Sequence, residues 1–315
     1  MTAELYQQIS THGAVVNLSS RAKFRLTGAD RIRYLNGQVT NDVRRAETVQ
    51  TLYACVTDVK GRIAADVFVH AQGDHLLLDA EPGLRESLGM RLERYIVADD
   101  VELTDVTDDW QLWHFWSDAG IQSLHTPSGQ SLSGDLRSDP VRAWNENIHC
   151  GQDHPHHLLR TTRFSKPGLD LWLPASAPAP TFDSLPFLTE SDLETWRILQ
   201  RVPRWPHELN AETFPPEARL QEQAMDYGKG CYIGQEVLSR IKTTGKMPRE
   251  MAAFETEASV SAGDELWNDK AVGKVTSATL HPQTGMTVGL AMIRQGSPRG
   301  GLRLRCADGP VVHML

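Results

Sequence analysis

The sequence changes character after Gly245, and this change constrains the fold more than any other feature of the chain. From residue 245 to residue 315, short apolar stretches alternate with turns rich in Gly, Asp and Pro. The apolar stretches cover residues 251–254, 271–276, 286–293 and 302–304. Short strands separated by such turns are typical of an all-β domain, and the length of this region suits a small barrel.

Residues 1–244 show a different pattern, in which strand and helix signals are mixed. Apolar stretches predict strands at 24–26, 53–57, 63–70, 75–79, 101–103 and 110–116. Helices are predicted at 30–35 (ended by Gly37), after Pro82, and from a Ser191-x-x-Glu194 capping box. Strands and helices in this order indicate an α+β fold, and a chain of 315 residues favours two or three domains.

Composition argues against several classes of protein. The net charge is −8 and the pI about 5.8, the opposite of what phosphate-based nucleic-acid binding requires. No apolar run reaches the roughly 18 residues that a membrane-spanning helix needs, and residues 1–10 lack the basic start of a secretory signal. The four cysteines have no C-x-x-C spacing, which suits a reducing compartment. We therefore expect a cytoplasmic protein with no membrane partner and no stable nucleic-acid partner.

The most informative motif is the octapeptide Lys229-Gly230-Cys231-Tyr232-Ile233-Gly234-Gln235-Glu236. A thiol becomes reactive where a cation or a helix N-terminus stabilises its thiolate. Lys229 lies two residues before Cys231, and a helix is predicted over 233–240. Cys231 is therefore a candidate reactive thiol with Lys229 as its partner. From the residues alone, a cysteine that only fills the core is the commoner alternative.

The octapeptide matches the K-G-C-Y-x-G-Q-E signature of YgfZ-type proteins, and the chain resembles that family over nearly its whole length. Other segments resemble the family in the same order along the chain. Tyr53, residues 60–63 and Asp66 resemble the family's folate-cavity hairpin, and Asn41-Asp42 resembles the helix end that precedes it. Residues 160–174 resemble the family's R-x-x-x-x-x-x-x-G-x-D/E segment. Residues 272–277 and 289–294 resemble its C-terminal barrel.

The resemblance implies a three-part fold like that of the glycine-cleavage T-protein, arranged around a central funnel. Residues 1–244 would form a folate-binding region of two interleaved α+β subdomains, and residues 245–315 a C-terminal β-barrel. The resemblance also implies tetrahydrofolate in the funnel and a role in maintaining iron–sulfur enzymes, one of which thiolates tRNA. The implied partners are a reduced folate and iron–sulfur client proteins, and the family members are not aminomethyltransferases.

One position departs from the family pattern. The family's helix carries R-I-E-A-G, whose glutamate meets the pterin, whereas Leu199 stands at that position here. A carboxylate suits the paired donors of a pterin, and a buried donor without a partner costs roughly 1–3 kcal/mol. We therefore expect that folate binding is weakened, uses another acid, or is lost.

The resemblance makes five residues candidates for folate binding, namely Tyr53, Asp66, Gln235, Glu236 and Arg240. The residues themselves also allow plainer roles. Tyr53 could pack in the core. Asp66 could face water from an edge strand, and Gln235 and Glu236 could cap and solvate a helix start.

Arg240 also begins a basic stretch that continues through Lys242, Lys246 and Arg249. A cationic rim would complement the polyglutamate tail of cellular folates. A solvated linker, or a local contact with RNA, is the alternative for this stretch.

The segment Asp153-His154-Pro155-His156-His157 is rich in metal-ligating side chains. Adjacent histidines in a loop lack the i, i+4 spacing of a helical metal site, and no cysteine has ligand spacing to them. We therefore expect a surface loop and no metal site.

Two functions remain, with a ligand-free scaffold as a third alternative. The favoured one is a non-catalytic, folate-linked accessory protein for the assembly or repair of iron–sulfur enzymes, working through Cys231. The alternative is a tetrahydrofolate-dependent aminomethyl or methyl transferase of the T-protein type. Leu199 counts against the enzyme, because such chemistry needs a carboxylate that positions the folate.

Overall fold

The computed structural model describes residues 1–117, 121–125, 131–134, 157–182 and 185–315. The helices are α1 (Ala3–His12), α2 (Arg31–Gln38), α3 (Ala46–Val49), α4 (Arg85–Glu93), α5 (Glu190–Leu199) and α6 (Gln235–Thr244). The first strands are β1 (Ala14–Asn17), β2 (Ala22–Thr27), β3 (Thr51–Thr57), β4 (Ile63–Gln72), β5 (His75–Ala80), β6 (Glu102–Asp105), β7 (Trp110–Trp116), β8 (Ile121–His125) and β9 (Ser131–Gly134). They are followed by β10 (His157–Arg163), β11 (Lys166–Pro174), β12 (Thr181–Phe182), β13 (Phe187–Leu188), β14 (Arg249–Thr256), β15 (Glu265–Asn268), β16 (Lys270–Leu280), β17 (Thr287–Arg294), β18 (Leu302–Leu304) and β19 (Val311–Met314).

The chain divides into two compact units that interleave along the sequence. Unit 1 comprises Met1–Arg31, Arg45–Leu52 and Phe68–Leu193. Unit 2 comprises Ile32–Arg44, Tyr53–Val67 and Glu194–Leu315. Among the described residues, no helix is both long and apolar enough to cross a membrane.

Unit 1 contains a five-stranded sheet with the strand order β10–β11–β7–β1–β13. Strand β1 pairs in parallel with β13 and antiparallel with β7. Residues 112–116 of β7 are all buried, which explains why this strand reads as a continuous aromatic and apolar run rather than an alternating one. In the same unit, β5 pairs antiparallel with β2 and with the part of β4 from Phe68 onward.

A buried ionic network lies in the core of unit 1. The Arg163 guanidinium donates to Asp79 at 2.6 and 3.2 Å and to Asp170 at 2.8 and 3.0 Å. The ring nitrogens of His70 and His114 lie 2.9 Å from Asp79 and Asp170, respectively. None of these five side chains is more than 3% exposed. One guanidinium thus bridges two carboxylates buried in the core, and Arg21 also pairs with Asp79.

The charges in this network fix the ionisation of its acids. Burial raises the pKa of Asp79, but the guanidinium groups of Arg163 and Arg21 outweigh burial and hold that pKa well below its usual range. Burial likewise raises the pKa of Asp170, and Arg163 together with His114 lowers it below its usual range. Both acids are therefore carboxylates in the folded protein at neutral pH.

Unit 2 contains a closed six-stranded barrel with the strand order β14–β17–β16–β15–β18–β19. The barrel predicted after Gly245 is confirmed. Gly289 on β17 lies opposite Phe254 on β14, and a Cβ at Gly289 would come within 2.6 Å of the Phe254 ring. Glycine is needed there because the phenylalanine ring, which is fully buried, takes the space.

Three helices differ in their boundaries from the sequence prediction, and one of them is α6, which spans Gln235–Thr244 rather than 233–240. Helix α2 does not stop at Gly37 but continues to Gln38. Helix α5 begins at Glu190, and its capping residues are Thr189 and Asp192, not Ser191 and Glu194. The Asp192 backbone N–H donates to the Thr189 hydroxyl at 3.1 Å, and the Thr189 N–H donates to the Asp192 carboxylate at 3.2 Å. Glu194 is paired with Arg197 instead.

The network around Arg163 generates a stability prediction. Replacing Arg163 with Met leaves the buried Asp170 carboxylate without its guanidinium and leaves Asp79 with Arg21 as its guanidinium partner, so we expect the free energy of unfolding to fall by about 3–5 kcal/mol. The matched control is Arg160→Met, because Arg160 lies on the same strand but is exposed; its cost should stay under about 1 kcal/mol. Urea unfolding measures both, and equal costs for the two variants would contradict the role given to Arg163.

Candidate functional site

The octapeptide leads directly into helix α6. The start of this helix lies against the turn between β3 and β4, and Gly234 and Gly61 form the contact. Gly234 immediately precedes the helix with a φ of 87°. A Cβ at Gly234 would lie 2.5 Å from the Asp58 carbonyl oxygen and 2.8 Å from Gly61 Cα. Gly61, with a φ of 77°, lies in the turn between β3 and β4. Because Gly234 has no side chain, this turn can lie against the start of α6.

Lys229 is buried, and its ammonium group faces backbone. Its Nζ donates to the carbonyl oxygens of Asn36 at 2.7 Å, Val39 at 2.7 Å and Asn41 at 2.6 Å. The residue is 5% exposed, and burial lowers its pKa to about 8. An ammonium has three N–H donors, so all of them are used by these carbonyls. All three ammonium N–H groups of Lys229 therefore bind carbonyl oxygens at the end of α2 or in the residues that follow it.

Cys231 is exposed, whereas Cys55 is completely buried. Burial, together with the nearby Asp66 carboxylate, raises the pKa of the Cys55 thiol well above its usual value. Cys306 is also exposed. Cys150 lies outside the described residues. Of the cysteines that the structure describes, Cys231 and Cys306 are the ones that solvent and reagents can reach.

Tyr53 and Asp66 face each other across β3 and β4. The Tyr53 hydroxyl donates to Asp66 Oδ2 at 3.1 Å. Asp66 is only 6% exposed, so the alternative of an acid facing water from an edge strand is wrong. Tyr53 is half-buried and packs against a cluster that includes Cys55 and Ile63. The pair therefore offers an aromatic ring and a buried carboxylate side by side.

Gln235, Glu236 and Arg240 lie on the first turns of α6. Glu236 and Arg240 form an i, i+4 ion pair at 3.3 Å, with side chains 88% and 72% exposed. Gln235 is half-buried. Glu236 and Arg240 therefore pair with each other on the exposed surface of the helix. The positive end of the helix dipole also stabilises the negative charge of Glu236.

Comparison with known proteins relates this chain to one superfamily. Residues 1–116 match the GCVT N-terminal domain, and residues 249–308 match the glycine cleavage T-protein C-terminal barrel domain. The chain is 27% identical over 261 residues to the tRNA-modifying protein YgfZ of Sodalis glossinidius (strain morsitans), over 80% of this chain and 75% of that protein. The chain therefore contains both domains of the glycine-cleavage T-protein superfamily and resembles the YgfZ-type proteins. The resemblance predicted from the octapeptide is confirmed.

Other relatives carry different names. An aminomethyltransferase of Rubrobacter xylanophilus is 25% identical over 329 residues, covering 97% of this chain and 82% of the enzyme. The mitochondrial iron-sulfur cluster assembly factor IBA57 homolog of Yarrowia lipolytica is 22% identical over 265 residues, covering 77% of this chain and 55% of that protein. The crystal structure of glycine cleavage system aminomethyltransferase T from Bartonella henselae matches with a TM-score of 0.75 at 12% identity, over 98% of this chain and 86% of that one. This last match establishes the T-protein fold.

Leu199, which departs from the YgfZ-type pattern, ends helix α5 and packs on the barrel. It is partly buried against an apolar cluster, whose members are Ile198, Met251, Ala253, Val288, Leu290 and Met292. A leucine suits this surface better than a carboxylate does, because a carboxylate there would lose water without gaining a partner. The substitution therefore has a packing reason of its own.

Sequence reasoning missed the charged residues next to Leu199. Arg197 is 1% exposed and donates to Glu208 at 2.9 Å and to the Ser277 hydroxyl at 2.7 Å, besides pairing with Glu194. Glu208 is fully buried and also accepts from Ser277 at 2.6 Å. These acids are committed to Arg197 and Ser277. Only the R-I pair of the family pattern could have hinted at a fixed arginine here.

The basic stretch is neither a uniform cationic rim nor a plain linker. Arg240 is paired with Glu236, as described above. Lys242 makes a cation–π contact, with its Nζ 4.1 Å from the centre of the Tyr227 ring. Arg249 lies 3.5 Å from the fully buried carboxylate of Glu217. Lys246 is exposed, and the described residues provide no partner for its ammonium group. Arg249 therefore has a structural role at the start of the barrel, which the sequence did not indicate.

Among the described residues, His70, Asp79 and Asp170 are the one group whose ligand atoms are close enough for a metal ion. The guanidinium of Arg163 already contacts both carboxylates, so a cation is present in that space. The predicted histidine-rich loop lies outside the described residues except for His157, whose ring packs 5.3 Å from that of Trp110.

The burial of the cysteines generates a reactivity prediction. We expect iodoacetamide to alkylate Cys231 faster than Cys55, Cys150 and Cys306 in the native protein, because Cys231 is exposed and lies just before the N-terminus of α6, which favours a thiolate. Cys55 should be protected most strongly, because burial disfavours its thiolate. Peptide mass spectrometry over a time course gives the rate at each site, and the urea-unfolded protein serves as the reference. Alkylation of Cys306 at or above the rate of Cys231 would show that exposure alone governs the reaction.

Proposed function

We propose that this protein is a folate-linked accessory factor for the assembly or repair of iron–sulfur enzymes, and through them for tRNA modification. The observation that carries the proposal is the exposed Cys231 within an octapeptide whose neighbours hold the surrounding backbone in one conformation. A thiol that is reachable while its flanking residues are fixed can meet a client protein at a defined place. We propose a cytoplasmic location, because the scattered cysteines suit a reducing compartment.

The names of two relatives support this function. One is called a tRNA-modifying protein and the other an iron-sulfur cluster assembly factor. A role in maintaining iron–sulfur enzymes accounts for both names, because an enzyme that modifies tRNA can itself depend on such a cluster. The partners we propose are a reduced folate and iron–sulfur client proteins, with no stable contact to nucleic acid.

Tyr53 and Asp66 are the residues we propose for a reduced folate. Tyr53 supplies a flat ring for stacking, and Asp66 supplies a buried carboxylate that can accept from pterin N–H groups. Tyr53 and Asp66 therefore match the ring and the N–H donors of a pterin on one side of the proposed site. At the position where the family carries a second carboxylate, Leu199 offers only apolar surface. Binding is therefore weak in our proposal.

An aminomethyltransferase is the second candidate, because the Rubrobacter xylanophilus relative with that name aligns over 97% of this chain. Transfer to a folate nitrogen needs a carboxylate that positions the acceptor and manages its proton. In unit 2, Glu194 and Glu208 are paired with Arg197 and therefore do not replace the family's carboxylate at the Leu199 position. This arrangement favours the non-catalytic role. A glycine-cleavage assay with a lipoyl carrier protein distinguishes the two candidates.

Replacing Cys231 with Ser tests the working thiol. Because the site is exposed, the near-isosteric substitution should leave the thermal unfolding midpoint within about one degree of wild type. In cells that lack the native protein, we expect the variant to fail to restore iron–sulfur enzyme activity. Cys306→Ser is the matched control, since it removes another exposed thiol. Full complementation by Cys231→Ser would rule out a function through this cysteine.

Folate affinity tests the ligand. We expect 5-formyltetrahydrofolate to bind with a dissociation constant on the order of tens of micromolar or weaker, because one pair of ring donors lacks its acceptor. Leu199→Glu should tighten binding about tenfold, whereas Leu199→Gln, of similar size without the charge, should tighten it much less. Calorimetry measures each affinity. Nanomolar binding by wild type, or binding unaffected by the double change Tyr53→Ala and Asp66→Ala, would refute the site.

A further inference from the structure

We infer that Lys229 is a positioning residue that holds the Cys231 segment against the end of helix α2, rather than a cation that activates the thiol. The inference rests on the proposed function of Cys231. It is carried by the three carbonyl oxygens, of Asn36, Val39 and Asn41, that lie within 2.7 Å of one nitrogen. All of these residues belong to unit 2.

The three carbonyl acceptors of Lys229 all lie at the end of helix α2 or just beyond it. Asn36 lies in the last turn of α2, and Val39 and Asn41 follow the helix. The final carbonyls of a helix have no partners within it and carry the negative end of its dipole. Lys229, from a distant part of the chain, satisfies one such carbonyl, that of Asn36, together with two carbonyls just beyond the helix, and it brings a positive charge to the favourable end. The helix end is thereby tied to residue 229.

The residues around Lys229 give the segment few other anchors. Gly228, Gly230 and Cys231 are exposed, and a Cβ at Gly230 would meet no atom within 4 Å. The nearest backbone ties on either side join the Asp226 N–H to Thr40 O at 3.0 Å and the Ile233 N–H to Gly37 O at 3.2 Å. Between those ties, Lys229 and Tyr232 are the buried side chains. The position of Cys231 therefore depends on Lys229 before it and on Tyr232 after it, which packs in an apolar cluster with Phe214, Met225 and Leu238.

The same contact reaches the residues proposed for folate. The Asn41 carbonyl accepts from Lys229, and the Asn41 side-chain amide donates to the Tyr53 carbonyl oxygen at 3.0 Å. The Thr57 hydroxyl, at the end of the same strand β3, donates to the Ile233 carbonyl. Lys229 thus belongs to a hydrogen-bonded frame that carries both Cys231 and Tyr53.

A positioning role and an activating role make different demands on the side chain. An activating cation acts through its charge, which arginine would preserve. A positioning lysine acts through three donors on one nitrogen, and a planar guanidinium cannot direct three hydrogen bonds from a single atom. Lys229→Arg should therefore fail like Lys229→Met if Lys229 positions the segment, and should rescue function if it activates the thiol.

The chain supplies a matched control in Lys23 of unit 1. Its Nζ donates to the carbonyl oxygens of Ser19 at 2.6 Å, Arg21 at 3.0 Å and Thr107 at 3.1 Å. Burial lowers its pKa to about 8, as it does for Lys229. Lys23→Met therefore removes the same chemistry from a place that the proposal does not involve.

Amide hydrogen exchange of the full-length protein, resolved by NMR, tests the proposal. In Lys229→Met and Lys229→Arg, we expect the amides of Asp226 and Ile233 to exchange at least tenfold faster than in wild type. In Lys23→Met, both should exchange at the wild-type rate. We also expect the pH at which iodoacetamide alkylation of Cys231 is half-maximal to be the same in Lys229→Met as in wild type.

Either of two results would overturn the inference. One is unchanged exchange at Asp226 and Ile233 in both Lys229 variants. The other is an upward shift of the alkylation profile in Lys229→Met that Lys229→Arg reverses, which would assign Lys229 to activation. Neither readout depends on iron–sulfur activity, so full complementation by Cys231→Ser would remove the proposed function without deciding the role of Lys229.

Discussion

The close approach of Gly234 to the Asp58–Gly61 turn is the constraint on which the arrangement of the candidate site depends. A side chain at Gly234 would overlap the Asp58 carbonyl and the Gly61 backbone, and both glycines have positive φ angles. Because the turn can lie directly on the start of α6, the hairpin that carries Tyr53 and Asp66 and the segment that carries Cys231 share one backbone frame. Lys229 and Thr57 then join that frame by hydrogen bonds.

Each unit contains a buried arginine held between carboxylates. In unit 1, Arg163 contacts Asp79 and Asp170, and in unit 2, Arg197 contacts Glu208 and Glu194. Taking such groups out of water is costly, so each network is stable only when every member keeps its partners. Such networks favour one packing arrangement over near alternatives, because any shift leaves a charge unpaired in a medium of low dielectric constant.

The position of Leu199 shows how packing and ligand binding compete for one residue. At the end of α5, a leucine contributes apolar surface to the contact with the barrel. A glutamate would offer a ligand an acceptor but would lose that contact and bring a charge near an apolar cluster. In this chain the residue at position 199 contributes to packing and offers a ligand no acceptor. Asp66 still provides a buried carboxylate on the other side of the proposed folate site.

The sequence by itself determined the elements whose signals are local. The strands at β2–β5 and β7, the barrel after Gly245 and the YgfZ-type octapeptide all follow from short-range patterns of apolar residues, turns and motif letters. Tertiary structure alone decided the burial of Asp66, the packing of Leu199 and the contacts of Lys229. The physical reason is that these outcomes depend on partners distant in sequence. The carbonyls that bind Lys229 lie between 188 and 193 residues before it, and no local pattern specifies them.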